Sequence, residues 1–312
     1  MFNPICEHLE QRPLLVLDGA LATELERRGA DLLDPLWSAK ILLEQPQLIR
    51  AVHLDYFRAG ADVATTATYQ ATFEGFARRG IGHEEAAQLM RDAVALAASA
   101  RDEFWSMPEN RAARLRPLIA ASMGPYGAML GDGAEYRGHY AVSDQALAAF
   151  HRPRLEVLAQ SGADLLACET LPCLREALVL ARLLSDFPSI TAWVSFSCRD
   201  GAHNCEGDEI ARCAAGLQAY PQVAAVGVNC TAPEHVGELL LRMREATDKP
   251  LLAYPNSGER YQALTKRWCG PQTATPFAVM ARAWYQAGAR LIGGCCRTTP
   301  EDIRAIGAWR GA

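Results

Sequence analysis

Lysine is scarce in this 312-residue chain: Lys40, Lys249 and Lys266 are its only three, and arginine carries nearly all the positive charge. A Schiff-base enzyme would want a lysine at an active-site strand end, and none of the three stands at one. The total of 31 basic against 36 acidic residues leaves a formal charge of −5, without the cationic excess of a phosphate-tracking nucleic-acid binder. Apolar runs never approach the 18 or more residues of a membrane span. The start of the chain holds acidic residues and no apolar block, which argues against a secretory signal. No Gly-x-Gly-x-x-Gly loop follows the first apolar run, where a dinucleotide-binding sheet would place it. The seven histidines show no metalloprotease spacing, and His53 reads as an ordinary helix residue.

What the chain does have is core-forming material: half of its residues are hydrophobic and 21% are charged, a globular composition. Eight short apolar runs, at 14–18, 62–66, 118–122, 164–168, 191–195, 224–228, 251–254 and 290–292, alternate with helix-like stretches rich in Ala, Leu, Glu and Arg. Continuous apolar runs fit strands buried on both faces. Alternation with helices implies a parallel sheet, and eight units imply closure. The expectation is an α/β fold, a (β/α)8 TIM barrel, in a single domain spanning 1–312. Gly60, Gly162 and Gly288 read as helix C-caps that feed strands. The segment 123–143, expected to be the longest insertion, reads as a loop over the barrel mouth. Thr299-Pro300-Glu301-Asp302 reads as a helix N-cap with proline at the first helical position.

Barrel active sites are built where strands end at their carboxyl side. There the runs offer Asp18-Gly19-Ala20, Thr66, Ser122, Glu169-Thr170, Ser195, Asn229-Cys230, Tyr254 and Gly293-Gly294-Cys295-Cys296. Three thiols from two strand ends fit a tetrahedral zinc site with one open position. Zn²⁺ with three thiolates sums to −1, which suits holding a fourth thiolate better than generating hydroxide. Adjacent strand residues point to opposite faces, so Cys295 and Cys296 share an ion only if the backbone turns, a freedom assigned to Gly293-Gly294. A vicinal disulfide is the other reading. The remaining cysteines, Cys6, Cys168, Cys173, Cys198, Cys205, Cys213 and Cys269, are expected in the core. Asp18 and Glu169 read either as helix caps or as acceptors for a substrate ammonium. Thr66, Ser195 and Asn229 read as loop polar residues. Ten cysteines in a long chain without an export signal favour reduced thiols.

From 13 to 306 the chain resembles the homocysteine S-methyltransferase family. Leu17-Asp18-Gly19-Ala20, Asn229-Cys230 and Gly293-Gly294-Cys295-Cys296 match its pattern in order and spacing. Gly124-Pro125-Tyr126-Gly127-Ala128 and Gly133-Ala134-Glu135-Tyr136-Arg137-Gly138 are similar to the branch using S-methylmethionine or S-adenosylmethionine. The resemblance implies a (β/α)8 barrel, a Zn²⁺ cofactor on Cys230, Cys295 and Cys296, and homocysteine plus a methyl sulfonium as substrates. It implies that Asp18 and Glu169 hold the homocysteine ammonium, with the Gly19–Ala20 backbone near its carboxylate. Thr66, Ser195 and Asn229 become pocket residues. Where the betaine-using branch has an aromatic after the fourth-strand glutamate, this chain has Thr170. A betaine-type methyltransferase and a non-catalytic zinc or thiol sensor are the competing readings. Tyr126 and Tyr136 could offer ring faces to the sulfonium, against ordinary loop packing. The implied setting is cytoplasmic, with no nucleic acid, membrane or obligate protein partner.

Overall fold

The computed structural model describes residues 3–32, 38–112, 114–262 and 267–309. Eight parallel strands form one sheet: β1 Leu15–Val16, β2 Val63–Thr65, β3 Leu118–Met123, β4 Leu165–Leu171, β5 Ala192–Phe196, β6 Val223–Asn229, β7 Leu251–Tyr254 and β10 Ala289–Ile292. Their order is β1-β10-β7-β6-β5-β4-β3-β2, and a parallel bridge between Leu17 and Val63 brings the two ends together. The result is the expected (β/α)8 barrel.

Alternation along β1 shows how the core divides. Leu15 and Leu17 point inward with Val63, Ala167, Trp193, Leu252 and Leu291, while Leu14 and Val16 face the helical layer. Trp193 is the bulkiest side chain fully buried in that interior. The barrel floor is closed by the helix Pro4–Gln11. Asn3 caps it, its Oδ1 accepting from the amides of Ile5 and Cys6 at 3.1 and 3.2 Å, and proline starts it. Ile5 reaches the interior cluster and is fully buried; truncating it to alanine should cost roughly 2–5 kcal/mol.

Gly60 and Gly288 are helix C-caps at positive φ, as expected, whereas the helix Asp144–Ala159 is capped by Gln160 and Gly162, also at positive φ, follows two residues later. Thr299 and Asp302 form the capping box of Pro300–Gly307. Two further features differ from expectation. The segment 255–276 matches the 123–143 insertion in length and contains an antiparallel hairpin, β8 Arg260–Gln262 and β9 Arg267–Cys269. These strands are too short to give an alternation signal. Strand β4 also runs past Cys168 to Leu171, and β6 ends at Asn229, so Glu169, Thr170 and Asn229 are strand residues. A register shift between Cys168 and Leu171, with Thr170 at φ +60°, bends the end of β4.

Candidate active site

Cys230, Cys295 and Cys296 meet at the carboxyl rim of the barrel. Their sulfurs all lie within 4.8 Å of one another, with 3.7 Å between Cys230 and Cys296 and 4.0 Å between Cys295 and Cys296. Sulfurs at tetrahedral corners about 2.3 Å from a zinc ion stand about 3.8 Å apart, so the spacing suits a metal of that size. Backbone bonds fix the loop: Cys295 N–H donates to Pro255 O at 2.7 Å, and the Thr298 hydroxyl to Cys295 O at 2.6 Å. Hydrogen bonds from Cys295 and Cys296 hold the Cys230 thiol well below the usual thiol range, while the same bonds push Cys296 up.

Gly293 and Gly294 serve this turn differently from expectation, since neither has positive φ. A Cβ on Gly293 would meet Leu17 Cβ at 2.6 Å, and one on Gly294 would meet Thr298 Oγ1 at 2.2 Å. These glycines permit close approach, and the reversal falls on Arg297, at φ +69°.

The two carboxylates share the cleft with the thiols. Asp18 accepts from the Thr65 amide at 2.8 Å and from the Thr65 hydroxyl at 3.0 Å. Glu169 accepts from the Ser122 hydroxyl, and from Tyr254 Oη at 3.0 Å. Neither caps a helix: Leu21–Arg27 starts at Ala20 without a side-chain cap, and Leu174 N–H donates to Asp208. Burial, with the charge of Glu169 adding to it, pushes Asp18 up to about 8. Burial likewise pushes Glu169 up to about 7. Two buried carboxyls that prefer to be neutral are a site waiting for a cation.

Gly19 and Ala20 line the same cleft; the Ala20 amide donates to Thr298 Oγ1 at 3.3 Å. Thr66 also lines it, and its hydroxyl accepts from the Ser122 amide at 3.2 Å. Ser195 and Asn229 are fully buried and are not brought into the cleft wall. They lie behind it: Ser195 Oγ donates to Asn229 Oδ1 at 2.8 Å and sits 2.7 Å from Tyr254 Oη. Trp193 Nε1 donates to the same Tyr254 oxygen at 2.9 Å. Sequence reading gave Tyr254 and Ser122 no role. Both stood at strand ends, the signal that could have found them, but neutral hydroxyls are common there.

The 123–143 loop crosses the cleft as expected. Its two tyrosines divide. Tyr126 packs against Tyr140 and Phe150, with ring centroids 5.5 and 5.1 Å apart. Tyr136 lines the cleft and hydrogen-bonds Cys230. Both ends of the loop are tied to Glu176, which accepts from the Tyr126 amide at 2.6 Å, Tyr140 Oη at 2.7 Å and His151 Nε2 at 2.7 Å. His151 Nδ1 accepts in turn from Arg154 at 3.2 Å.

Among the other cysteines, Cys168, Cys173, Cys198 and Cys213 are buried as expected. Cys6 and Cys269 are exposed and Cys205 is half-buried, contrary to it. Cys6 lies on the outer face of the floor helix and Cys269 on the hairpin. His53 is fully buried in its helix, and burial lowers it to about 4. Lys40 pairs with Asp31 at 3.2 Å, and Lys249 donates to Val223 O at 2.7 Å, at the start of β6 and the opposite end from the thiols. Lys266 lies outside the described residues. No helix among the described residues is long and apolar enough to cross a membrane.

The cleft is one-sided in charge. Asp18, Glu26, Glu135 and Glu169 line it with the three thiols, and no Lys, Arg or His does so among the described residues.

The chain is similar to known proteins over nearly its whole length. Residues 15–309 match the family model described as homocysteine S-methyltransferase. The homocysteine S-methyltransferase YbgG of Bacillus subtilis (strain 168) is 56% identical over 307 residues, 98% of each chain. That of Escherichia coli (strain K12) is 50% identical over 307 residues, again 98% of each. The crystal structure of the Escherichia coli homocysteine methyltransferase MmuM in its metallated form superimposes with a TM-score of 0.88 at 48% identity, covering 98% of this chain and 99% of that one. With its barrel, its thiol cluster and near full-length identity to such relatives, the chain belongs to the homocysteine S-methyltransferase family.

Proposed function

We propose that this enzyme moves a methyl group from S-methylmethionine or S-adenosylmethionine to homocysteine, forming methionine, with zinc held by Cys230, Cys295 and Cys296. The carrying observation is the convergence of three thiols and two cation-ready carboxyls in a cleft lined by no basic side chain among the described residues. When bound, zinc supplies the Lewis acidity that keeps a substrate thiol deprotonated yet nucleophilic near neutral pH.

The chain's own residues do the positioning. Asp18 and Glu169 take the homocysteine ammonium, each already oriented by two hydrogen-bond donors. Ala20 has its amide committed to Thr298, so the neighbouring Gly19 backbone is the better placed to meet the substrate carboxylate. Thr66 acts through Ser122, and Ser195 and Asn229 act through Tyr254 and Thr170. In the transfer, the homocysteine sulfur forms a bond to the methyl carbon as the donor S–CH3 bond breaks. The electron pair of that bond stays on the donor sulfur, which leaves as a neutral thioether, and the thiol proton goes to solvent. Charge is quenched along this path, so the Tyr136 loop and Trp268 over the cleft aid the step by excluding water.

Charge also disfavours one class of donor. A cleft lined by acids and thiols, with no basic side chain among the described residues, disfavours anionic methyl carriers and admits cations. Three free thiols suit a reducing, cytoplasmic setting, and nothing in the reaction calls for a protein partner or a second domain. A panel of S-methylmethionine, S-adenosylmethionine and betaine with homocysteine, scored as methionine formed, tests the reading. The sulfonium donors should support methionine formation well above betaine. Methionine from betaine alone would overturn the donor assignment.

A further inference from the structure

Glu135 is the cleft carboxylate the reaction above does not use. It sits in the short turn Ala134–Tyr136 of the loop across the mouth, with 9% of its surface exposed. Its Oε2 is buried and has no hydrogen-bond partner among the described residues. An unpaired carboxylate oxygen out of water is costly, and the loop bearing it is no loose segment. Glu176 fastens that loop through Tyr126 and Tyr140, and Arg154 supports it through Gly124 O at 2.6 Å. The bare oxygen is therefore held in place.

Its surroundings overlap those of the ammonium pair only at Glu169. Glu135 interacts electrostatically with Cys230, Tyr69 and Tyr136; Glu169 shares Cys230 and Tyr69 with it, whereas the charged neighbour of Asp18 is Glu169. Arg137, which acts on Glu135 electrostatically, is exposed and pairs with Asp132 at 3.0 Å. The two cation sites also differ in chemistry. An ammonium presents three directional N–H donors and suits carboxylates braced by hydroxyls. A sulfonium has no N–H; it is held by an unpartnered negative charge and by aromatic faces.

Building on the methyl-transfer reading above, we infer that Glu135 is the counter-charge for the donor sulfonium, with Tyr69 and Tyr136, which line the same cleft, offering it their ring faces. The positive charge disappears as the methyl leaves. Glu135 therefore favours bound donor over the transition state and over the thioether product, and it sets donor affinity more than the rate of the chemical step.

Steady-state kinetics of Glu135→Gln and Glu135→Asp test this. Glu135→Gln should raise KM for S-methylmethionine at least about tenfold, the scale of one lost charge-assisted contact. KM for homocysteine should change less than about twofold, kcat less than about threefold, and zinc content should hold. Glu135→Asp should recover part of the donor KM. Trimethylsulfonium chloride, competing with the donor, should inhibit the glutamine variant at least about tenfold more weakly than the native enzyme. An unchanged donor KM and unchanged trimethylsulfonium inhibition would overturn the inference alone. So would a joint loss of kcat, homocysteine KM and zinc in both variants, which marks Glu135 as a prop for the loop. A native enzyme that makes no methionine from either sulfonium overturns the functional reading, and this inference falls with it.

Discussion

Methionine is the sharpest probe of the carboxylate pair, because it carries the amino-acid end of homocysteine without a thiol. Burial pushes Asp18 up to about 8, so at pH 7 it is roughly nine-tenths protonated. Glu169, pushed up to about 7, is about half protonated there. An arriving ammonium needs acceptors, so binding should expel between one and about one and a half protons per site at pH 7. The sign follows from the direction of the shift. Both acids titrate high in the free protein and lower in the complex, so methionine affinity rises with pH through the 6–8 range. It then levels until the ligand's own ammonium begins to titrate. From pH 8 to pH 6, Asp18 alone weakens binding about fiftyfold. Calorimetry at pH 7 in two buffers of different ionisation enthalpy measures the protons directly, and Asp18→Asn should remove most of them. Identical apparent enthalpies in both buffers, with a flat pH profile, would refute the assignment of the ammonium to Asp18.

Two further outcomes follow from the thiols and from the wall behind them. Cys230→Ser, Cys295→Ser and Cys296→Ser should each copurify with far less zinc while keeping native far-ultraviolet circular dichroism, since the barrel interior is built from other residues, Cys295 alone of the three packing against its edge. Full zinc stoichiometry in any one removes that residue from the site. Tyr254→Phe deletes the hydroxyl that donates to Glu169 and leaves the buried Trp193 Nε1–H without its acceptor. That orphaned donor should cost about 1–3 kcal/mol in denaturant unfolding, and homocysteine KM should rise several-fold. Wild-type stability in this variant would contradict the network.

The barrel was legible because its strands are buried on both faces, so their apolar runs stand out against helices of different period. The cation-ready pair was legible only in part. Asp18 and Glu169 were visible as acids at strand ends, but a cap and a ligand acceptor look alike there until the next helix is seen to be capped otherwise. Ser195 and Asn229 show the limit of that reasoning. Their position at strand ends is real, yet their side chains lie behind the cleft wall, where Asn229 Oδ1 accepts from the Ser195 hydroxyl and the Thr170 amide. Gly293-Gly294 was noticed for a sound reason and explained by the wrong one, since contact with Leu17 and Thr298 is a tertiary fact. Glu135 stood inside a motif similar to the sulfonium-using branch but was given no role of its own; an acid in a polar loop becomes informative only when its partners are counted.

The bend of β4 also explains why the thiols and carboxylates come as one unit. Thr170 and Cys230 are non-glycine residues at φ +60° and +47°, each costing on the order of 1–3 kcal/mol. Both sit where a strand bends or has just ended, Thr170 within β4 and Cys230 after β6, and each position aims a working side chain at the cleft: Glu169 just before Thr170, and Cys230 itself. Asn229 joins them. Its Oδ1 accepts from the Thr170 amide at 2.7 Å, and its Nδ2 donates to Thr170 Oγ1 at 2.8 Å, while its own backbone leads directly into Cys230. The same amide nitrogen stands 3.9 Å from Cys295 Sγ. One buried amide thus fastens the strained end of β4 to the strained end of β6 and touches the third strand's thiol. An asparagine is suited to this because it offers both an acceptor and two donors within one short side chain. Distortion at either strand end is then shared by the other, so the groups meeting the amino-acid end of the substrate stay in register with those gathered around its sulfur.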